Sequence, residues 1–216
     1  MSLVHELPGA HKARPAPLID AFDRLGTRMT FSRDVEIYAQ DEPAEQFFRV
    51  LRGVVRTSRL TADGRRQVGD FYYPGDVFGL EVAAQYRFAA EALTDTEVQV
   101  VRRTALRAFA GDAEVDQAIL AATQLELERL QEHVVLLGRK SARERVGAFL
   151  MAVAQRQAED DVVLPMGRQD MADYLGLTIE TVSRILTQLR GEAIVDFPSS
   201  RRFQVRKWTA LEAMAA

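Results

Sequence analysis

The chain has 216 residues, of which 47% are hydrophobic and 27% charged. This length allows one large domain or two small ones, and the composition is typical of globular proteins. There is no cysteine, which excludes disulfides, thiolate zinc sites and cysteine-bound iron–sulfur clusters. The formal net charge of −3, taken over the whole chain, argues weakly against a nucleic-acid partner.

The first part of the chain is predicted to be a flexible tail, residues 1–17, followed by a β-rich domain, residues 18–111. The tail contains three prolines and lacks the apolar stretch of a secretory signal. No segment approaches the roughly 18 apolar residues of a membrane span. We therefore expect a cytoplasmic protein without a membrane partner.

The β-rich domain begins with a short amphipathic helix, Leu18–Leu25, and then changes to a period of two between Met29 and Arg102. Asp63-Gly64 suits a type I′ hairpin turn, which needs positive φ at both central residues. Short strands at this spacing predict a small barrel or sandwich. The predicted strands are Glu36–Tyr38, Gln46–Leu51, Val54–Leu60, Gln67–Tyr73 and Val98–Val101.

A long helix is predicted over residues 112–138, with its apolar positions in Ala113–Leu137. Two series of mostly apolar residues repeat every seventh position, three residues apart, which is the a/d pattern of a coiled coil. This pattern predicts a homodimer, and a single wide core face in a monomer is the alternative. The predicted dimer-interface residues are Leu120, Thr123, Leu127, Leu130, Val134 and Leu137.

A second domain is predicted over residues 139–216, after a boundary at Gly138–Ser141. Ser141-Ala142-Arg143-Glu144 fits a capping box at the start of a helix that ends near Gln157. Glu159-Asp160-Asp161 is interpreted as a solvated linker loop. Residues 139–216 hold 12 basic and 10 acidic residues, against 16 and 21 in residues 1–138. The charge is therefore slightly positive in the second domain.

The segment Gly167–Arg190 predicts a helix-turn-helix with Gly176 in the turn. Ala172, four residues earlier, is small enough to let two helices approach closely. The apolar residues then fall on the interior positions of such a motif. The predicted interior residues are Met171, Leu175, Leu177, Val182 and Ile185.

The exposed residues of the second helix are predicted to read DNA bases, and they are Ile179, Glu180, Ser183 and Arg184. Arg184 suits a bidentate bond to guanine. Glu180 can accept from the amine of cytosine and can hold Arg184 in place. The alternative is a surface ion pair between Glu180 and Arg184, worth about 0.5 kcal/mol.

Two strands, Ala193–Phe197 and Phe203–Trp208, are predicted to flank Pro198–Arg202 as the wing of a winged helix. The tip offers hydroxyls and guanidinium groups to phosphate. The predicted phosphate contacts are Arg168, Gln169, Thr178, Thr181, Ser199, Ser200, Arg201 and Arg202.

An α+β chain with a β-barrel like that of cyclic-nucleotide-binding domains, a long dimerisation helix and a C-terminal winged helix-turn-helix resembles the CRP/FNR family of bacterial transcription regulators. The most specific segments are Tyr73–Gly79 and Leu177–Arg184. The Glu-x-x-Ser-Arg spacing is similar to the FNR and FixK branches, with FixK the nearer. The resemblance implies an activator that contacts RNA polymerase and binds double-stranded DNA at TTGA…TCAA half-sites. It also implies target genes of microoxic respiration and nitrogen fixation.

The departures from the family pattern concern its sensors. Family pockets for cyclic nucleotides use Gly-Glu and Arg-Ser pairs, whereas here Leu80 precedes Glu81 and Phe88 follows Arg87. Glu81 and Arg87 are interpreted as a vestigial ligand pocket. His133 is expected at the dimer surface rather than on haem iron, and His5 and His11 lie in the tail.

These departures favour a regulator without cofactor, metal or small-molecule effector. A regulator of the same fold gated by a cyclic nucleotide or another ligand is the alternative. The sequence has no paired-carboxylate site, Ser/His arrangement or phosphate-binding glycine-rich loop that we can identify. We therefore do not expect an enzyme.

Overall fold

The computed structural model describes residues 16–81, 83–157 and 161–215. Most of the predicted tail, and Glu159 and Asp160 of the predicted linker loop, lie outside the described residues. The described chain divides into two compact units, residues 16–126 and 127–215. In the described part of the chain, no helix is both long and apolar enough to cross a membrane.

The first unit contains two four-stranded sheets in which every pairing is antiparallel. The strand orders are β1-β8-β3-β6 and β2-β7-β4-β5. The strands are β1 Thr27–Phe31, β2 Glu36–Tyr38, β3 Gln46–Arg52, β4 Val55–Leu60, β5 Arg66–Tyr72, β6 Val77–Phe78, β7 Ala89–Ala92 and β8 Thr96–Arg102.

Aromatic rings from both sheets form the core of the first unit. The ring centroids of Tyr38 and Tyr86 are 3.8 Å apart, and those of Phe48 and Phe78 are 5.0 Å apart. Burial of such large apolar surfaces is a principal stabilising contribution to a fold of this size. A second apolar cluster lies under helices α1 (Ala16–Leu25) and α2 (Arg103–Ala110) and includes Phe22.

The hairpin between β4 and β5 has a different turn from the predicted type I′. Gly64 has a φ of 79°, but Asp63 is not among the residues with positive φ. The Gly64 amide donates to the Thr61 carbonyl at 2.8 Å, which gives a β-turn followed by a left-handed glycine. Hydrogen bonds from Thr61 and then Arg65 to the Asp63 carboxylate lower its pKa to about 2. These bonds stabilise Asp63 within this turn, which differs from a two-residue type I′ turn.

Helix α3 (Asp112–Arg139) contains the boundary between the two units. The second unit also has a three-stranded antiparallel sheet in the order β10-β11-β9. Its elements are α4 Ala142–Gln157, β9 Asp161–Val163, α5 Arg168–Leu175, α6 Ile179–Gly191, β10 Val195–Ser199, β11 Arg202–Val205 and α7 Trp208–Ala215. The predicted capping box is present, because Ser141 and Glu144 each accept from the other's amide.

Two predictions about the second unit are wrong. The last predicted strand, Phe203–Trp208, ends at Val205, and Trp208 begins α7. Helix α7 packs on α4 so closely that a Cβ on Gly147 would lie 2.8 Å from the Cβ of Met214. Asp161, expected in a loop, lies in β9, where the strand pairs with β11. Both differences depend on contacts between segments distant in sequence.

Candidate nucleic-acid interface

Helices α5 and α6 meet at Gly176, as the helix-turn-helix interpretation requires. Gly176 has left-handed angles, φ 61° and ψ 41°, which glycine adopts without the steric penalty of a side chain. The Leu177 amide donates to the Ala172 carbonyl at 3.0 Å. Ala172 is fully buried and Leu177 is half-buried, and the other predicted interior residues are buried, namely Met171, Leu175, Val182 and Ile185.

Helix α6 begins with a side-chain cap. The Thr178 hydroxyl accepts from the Thr181 amide at 3.2 Å, which satisfies one of the unpaired amides of the first turn. The backbone amide of Glu180 and then the Thr178 hydroxyl hydrogen-bond to the Glu180 carboxylate and lower its pKa. The Glu180 side chain therefore lies at the helix N-terminus, and the described residues show no ion pair between Glu180 and Arg184, which was one of the two possibilities. The partial positive charge of the helix N-terminus favours this arrangement.

The outward face of α6 carries the predicted base-reading residues. Ile179 is 37% exposed, Glu180 and Arg184 are exposed, and Ser183 is half-buried. Within residues 16–81, 83–157 and 161–215, the side chain of Arg184 has no hydrogen bond or ion pair. Its guanidinium group is thus available for a bidentate contact.

The N-terminus of α5 lies beside this face. Arg168 Nη1 donates to Ser183 Oγ at 3.2 Å, so the structure brings together a predicted phosphate contact and a predicted base contact. Gln169 Nε2 donates to Asp173 Oδ1 at 2.7 Å. Gln169 is therefore already engaged along its own helix.

The two arginines of the wing have different surroundings. Ser199 pairs with Arg202 across the turn, and Ser199 and Ser200 are exposed. Arg201 is half-buried and its Nη1 donates to the Pro165 carbonyl at 2.6 Å. This bond holds the wing tip to the segment before α5, and the phosphate contact of Arg201 stays a prediction. Arg202 is exposed and forms an ion pair with Asp161.

The predicted dimer stripe on α3 is exposed at four positions. The exposed fractions are 59% for Leu120, 53% for Leu127, 50% for Leu130 and 67% for Val134. Thr123 and Leu137 are half-buried. Large exposed apolar side chains at this spacing are typical of a surface that a partner covers.

The C-terminal end of α3 contacts the helix-turn-helix. The centroids of the His133 and Tyr174 rings are 4.3 Å apart, so His133 packs against its own chain, and its place at the dimer surface stays a prediction. A methyl carbon of Leu137 lies 3.7 Å from the position that a Cβ on Gly176 would occupy. The coiled-coil pattern identified the helix but did not distinguish which residues face its own chain.

Glu81 and Arg87, the residues of the predicted vestigial pocket, lie close together and form an ion pair with each other. Arg87 Nε and Glu81 Oε2 are 3.3 Å apart, and the side chain of Arg87 is 74% exposed. The Phe88 ring lies 3.0 Å from the position that a Cβ on Gly69 would occupy. Arg59 is 5.5 Å from the centroid of that ring. Arg87 therefore already has a carboxylate partner.

The sequence interpretation missed Asp161 and Arg143. Arg143 forms a two-point contact with Glu192 at the end of α6, at 2.9 and 2.6 Å, and so braces that end against α4. In the sequence, Arg143 was interpreted only as part of the capping box that starts α4. Asp161 becomes a partner of Arg202 only when β9 pairs with β11, which no local pattern in Glu159-Asp160-Asp161 indicates.

Comparison with known proteins agrees with this organisation. Residues 28–112 match the cyclic nucleotide-binding domain, and residues 144–214 match the Crp-like helix-turn-helix domain. A domain of the first kind followed by one of the second defines a class of DNA-binding transcription regulators.

Relatives of known name cover nearly the whole chain. The nitrogen fixation regulation protein FixK of Azorhizobium caulinodans is 47% identical over 94% of this chain and 83% of its own. FixK of Rhizobium meliloti is 39% identical over 93% and 90%. The structure of FixK2 from Bradyrhizobium japonicum has a TM-score of 0.83 and 45% identity, covering 89% of this chain and 98% of its own. The chain belongs to the CRP/FNR family, in its FixK-type branch.

Proposed function

We propose that this protein is a homodimeric transcription activator that binds a two-fold TTGA…TCAA-type site through α6 and needs no small-molecule effector. The observation that carries the proposal is Arg184 on the outward face of α6, which is exposed and whose side chain has no partner among the described residues. Residues 18–111 would form the sensor-like barrel, 112–138 the dimerisation helix and 139–216 the DNA-binding domain. The names of the FixK relatives support target genes of nitrogen fixation, and the resemblance to the FixK branch adds those of microoxic respiration.

The chemistry of α6 fits the half-site. Arg184 would bond to O6 and N7 of the guanine. Glu180 would accept from the amine of the paired cytosine, which requires its carboxylate to turn from the helix N-terminus. Ile179 is suited to the methyl group of thymine, and Ser183 lets the helix approach the bases closely.

Phosphate contacts would fix the register of the helix in the major groove. Arg168 lies next to Ser183, and Arg202 is exposed at the wing. Phosphate would replace Asp161 as the partner of Arg202, because an exposed ion pair contributes only about 0–1 kcal/mol. The other proposed contacts are Gln169, Thr178, Thr181, Ser199 and Ser200, with Arg201 supporting the wing.

The effector-free part of the proposal is supported by the contact of Glu81 with Arg87 and by the position of Phe88. An anionic ligand would have to compete with the Glu81 carboxylate for the positive charge of Arg87. Titration calorimetry with cyclic AMP and cyclic GMP tests this directly. Micromolar binding of either nucleotide would favour a ligand-gated regulator instead.

Footprinting and transcription in vitro test the rest of the proposal. The purified protein without added ligand should protect promoters that carry the palindrome and increase transcription by RNA polymerase, which we propose as its cytoplasmic partner. The control is the same promoter with the guanine of each half-site replaced. Equal protection of both promoters would contradict the assignment of the target site.

A further inference from the structure

Arg145, in the first turn of α4, hydrogen-bonds to three backbone carbonyls, two of them around the end of α3 and one at the end of α5. Its Nε donates to Lys140 at 3.0 Å, its Nη1 to Leu175 at 3.1 Å and its Nη2 to Leu137 at 2.6 Å. Leu137 lies in the last turn of α3, and Leu175 is the last residue of α5. One side chain thus joins the end of the dimerisation helix to the turn that precedes α6.

The acceptors explain why a guanidinium group occupies this position. The last carbonyls of a helix have no partner within the helix and carry a partial negative charge. A planar cation with several donors in fixed directions can satisfy the ends of two helices together, whereas a lysine ammonium is a point charge on a flexible stem. Arg145 is half-buried, so water competes less for these carbonyls than at an exposed site.

The packing around Arg145 reinforces the connection. A Cβ on Gly176 would lie 3.7 Å from Leu137 Cδ2 and 3.8 Å from Arg145 Nη1. His133 contacts Tyr174 one turn earlier on α3. The end of α3 and the turn between α5 and α6 therefore meet over a short path of direct contacts.

We propose that Arg145 is a positioning residue that fixes the direction of α6 relative to the end of α3, and thereby sets the half-site spacing that the dimer accepts. The inference rests on the proposed function, because spacing has meaning only for a dimer that reads two half-sites. One added base pair rotates a half-site by about 35° and moves it by about 3.4 Å. A rigid connection penalises this change, and a loose connection tolerates it.

The first test measures spacing selectivity. Fluorescence anisotropy gives the Kd for palindromes with the natural spacing and with one base pair added or removed. The wild type should prefer the natural spacing by at least about 10-fold, and Arg145→Gln should reduce this ratio below about 3-fold. Arg145→Lys should fall between them. Arg139→Gln is the control, because Arg139 is exposed and has no partner in the described part of the chain.

An unchanged spacing ratio in Arg145→Gln, even with weaker binding at every spacing, would overturn the inference. If the spacing ratio falls in Arg145→Gln while its melting temperature equals that of the wild type, a merely structural role for Arg145 is excluded. A wild type without any preference for palindromes would instead contradict the proposed function. The two failures are therefore distinguishable.

A second test does not require DNA. The sequence has no cysteine, so Gln188→Cys, at an exposed position of α6, provides a single site for a nitroxide label in each protomer of the dimer. Pulsed electron paramagnetic resonance then measures the distance between the labels on the α6 helices of the two protomers. Arg145→Gln and Arg145→Lys should broaden the distance distribution, and Arg139→Gln should not. A distribution as narrow as that of the wild type in both Arg145 variants would overturn the inference.

Discussion

Arg184 is the residue whose replacement should affect sequence specificity most. Arg184→Ala should weaken binding to the palindrome by about 1–3 kcal/mol for each half-site, because a bidentate contact to guanine is lost. Binding to random DNA should change little. Fluorescence anisotropy at constant salt with both DNAs measures the two effects separately.

Replacement of two other arginines, Arg190 and Arg202, provides controls for Arg184→Ala. Arg190→Ala removes an exposed charge from the last turn of α6 and should leave the preference for the palindrome unchanged. Arg202→Ala should weaken binding to all sequences similarly and make the dependence on salt less steep, because a phosphate contact releases counterions. Equal losses on specific and random DNA for Arg184→Ala would show that α6 is not the reading helix.

His133 should make the stability of the second unit depend on pH. Burial lowers the pKa of His133, and the backbone of Tyr174 opposes this shift. The folded protein then binds fewer protons than the unfolded chain below the ordinary pKa of about 6.5. The free energy of unfolding should therefore be highest above pH ~6.5 and fall at lower pH, by at most about 1.4 kcal/mol per pH unit.

His133→Phe keeps a ring against Tyr174 and removes the titrating group. Urea denaturation of both proteins at several values between about pH 7.5 and 5.5 gives the comparison, above the range in which most carboxylates titrate. The loss of stability in this range should be smaller in the variant. Parallel curves for the two proteins would show that His133 does not contribute to the pH dependence.

At the scale of elements, the start of α6 depends on one side-chain cap. Thr178→Ala removes the acceptor for the Thr181 amide and should reduce the free energy of unfolding by about 1 kcal/mol. Thr178→Ser keeps the hydroxyl and should retain most of the stability. Urea denaturation compares the three proteins, and equal loss in both variants would attribute the effect to the methyl group instead.

The predicted elements differ from the observed ones where pairing across the chain decides the conformation. Ala89–Ala92 forms β7 without a β-branched or aromatic residue, because it pairs with β2 and β4. Phe203 and Val205 show the alternation of a strand and lie in β11, but the predicted strand continued to Trp208, which begins α7 instead. Helix α6 was predictable, because its caps, its turn glycine and its apolar face lie within one short segment.

At the scale of the whole molecule, the exposed α3 stripe should determine dimerisation. Leu130→Lys places a charge on an apolar position that is 50% exposed and should convert the dimer to a monomer. The palindrome should then bind far more weakly, because the two half-sites are no longer bound together. Analytical ultracentrifugation measures the oligomeric state.

Glu128→Lys introduces the same side chain at an exposed position outside the stripe and should leave the dimer intact. A dimer that persists in Leu130→Lys would favour the alternative in which this helix serves a monomer. Circular dichroism of both variants establishes that the secondary structure is retained.

The sequence by itself determined the family, the order of the domains and the helix-turn-helix, because each is encoded by local periodicity and by residues at fixed spacing. The net charge of −3 was misleading, since the proposed DNA-reading surface depends on a few residues of one helix. Only the tertiary structure decided which arginines are free and which are engaged. Arg145, Arg201 and Arg202 have partners on segments distant in sequence, and side chains alike in sequence acquire different roles through such contacts.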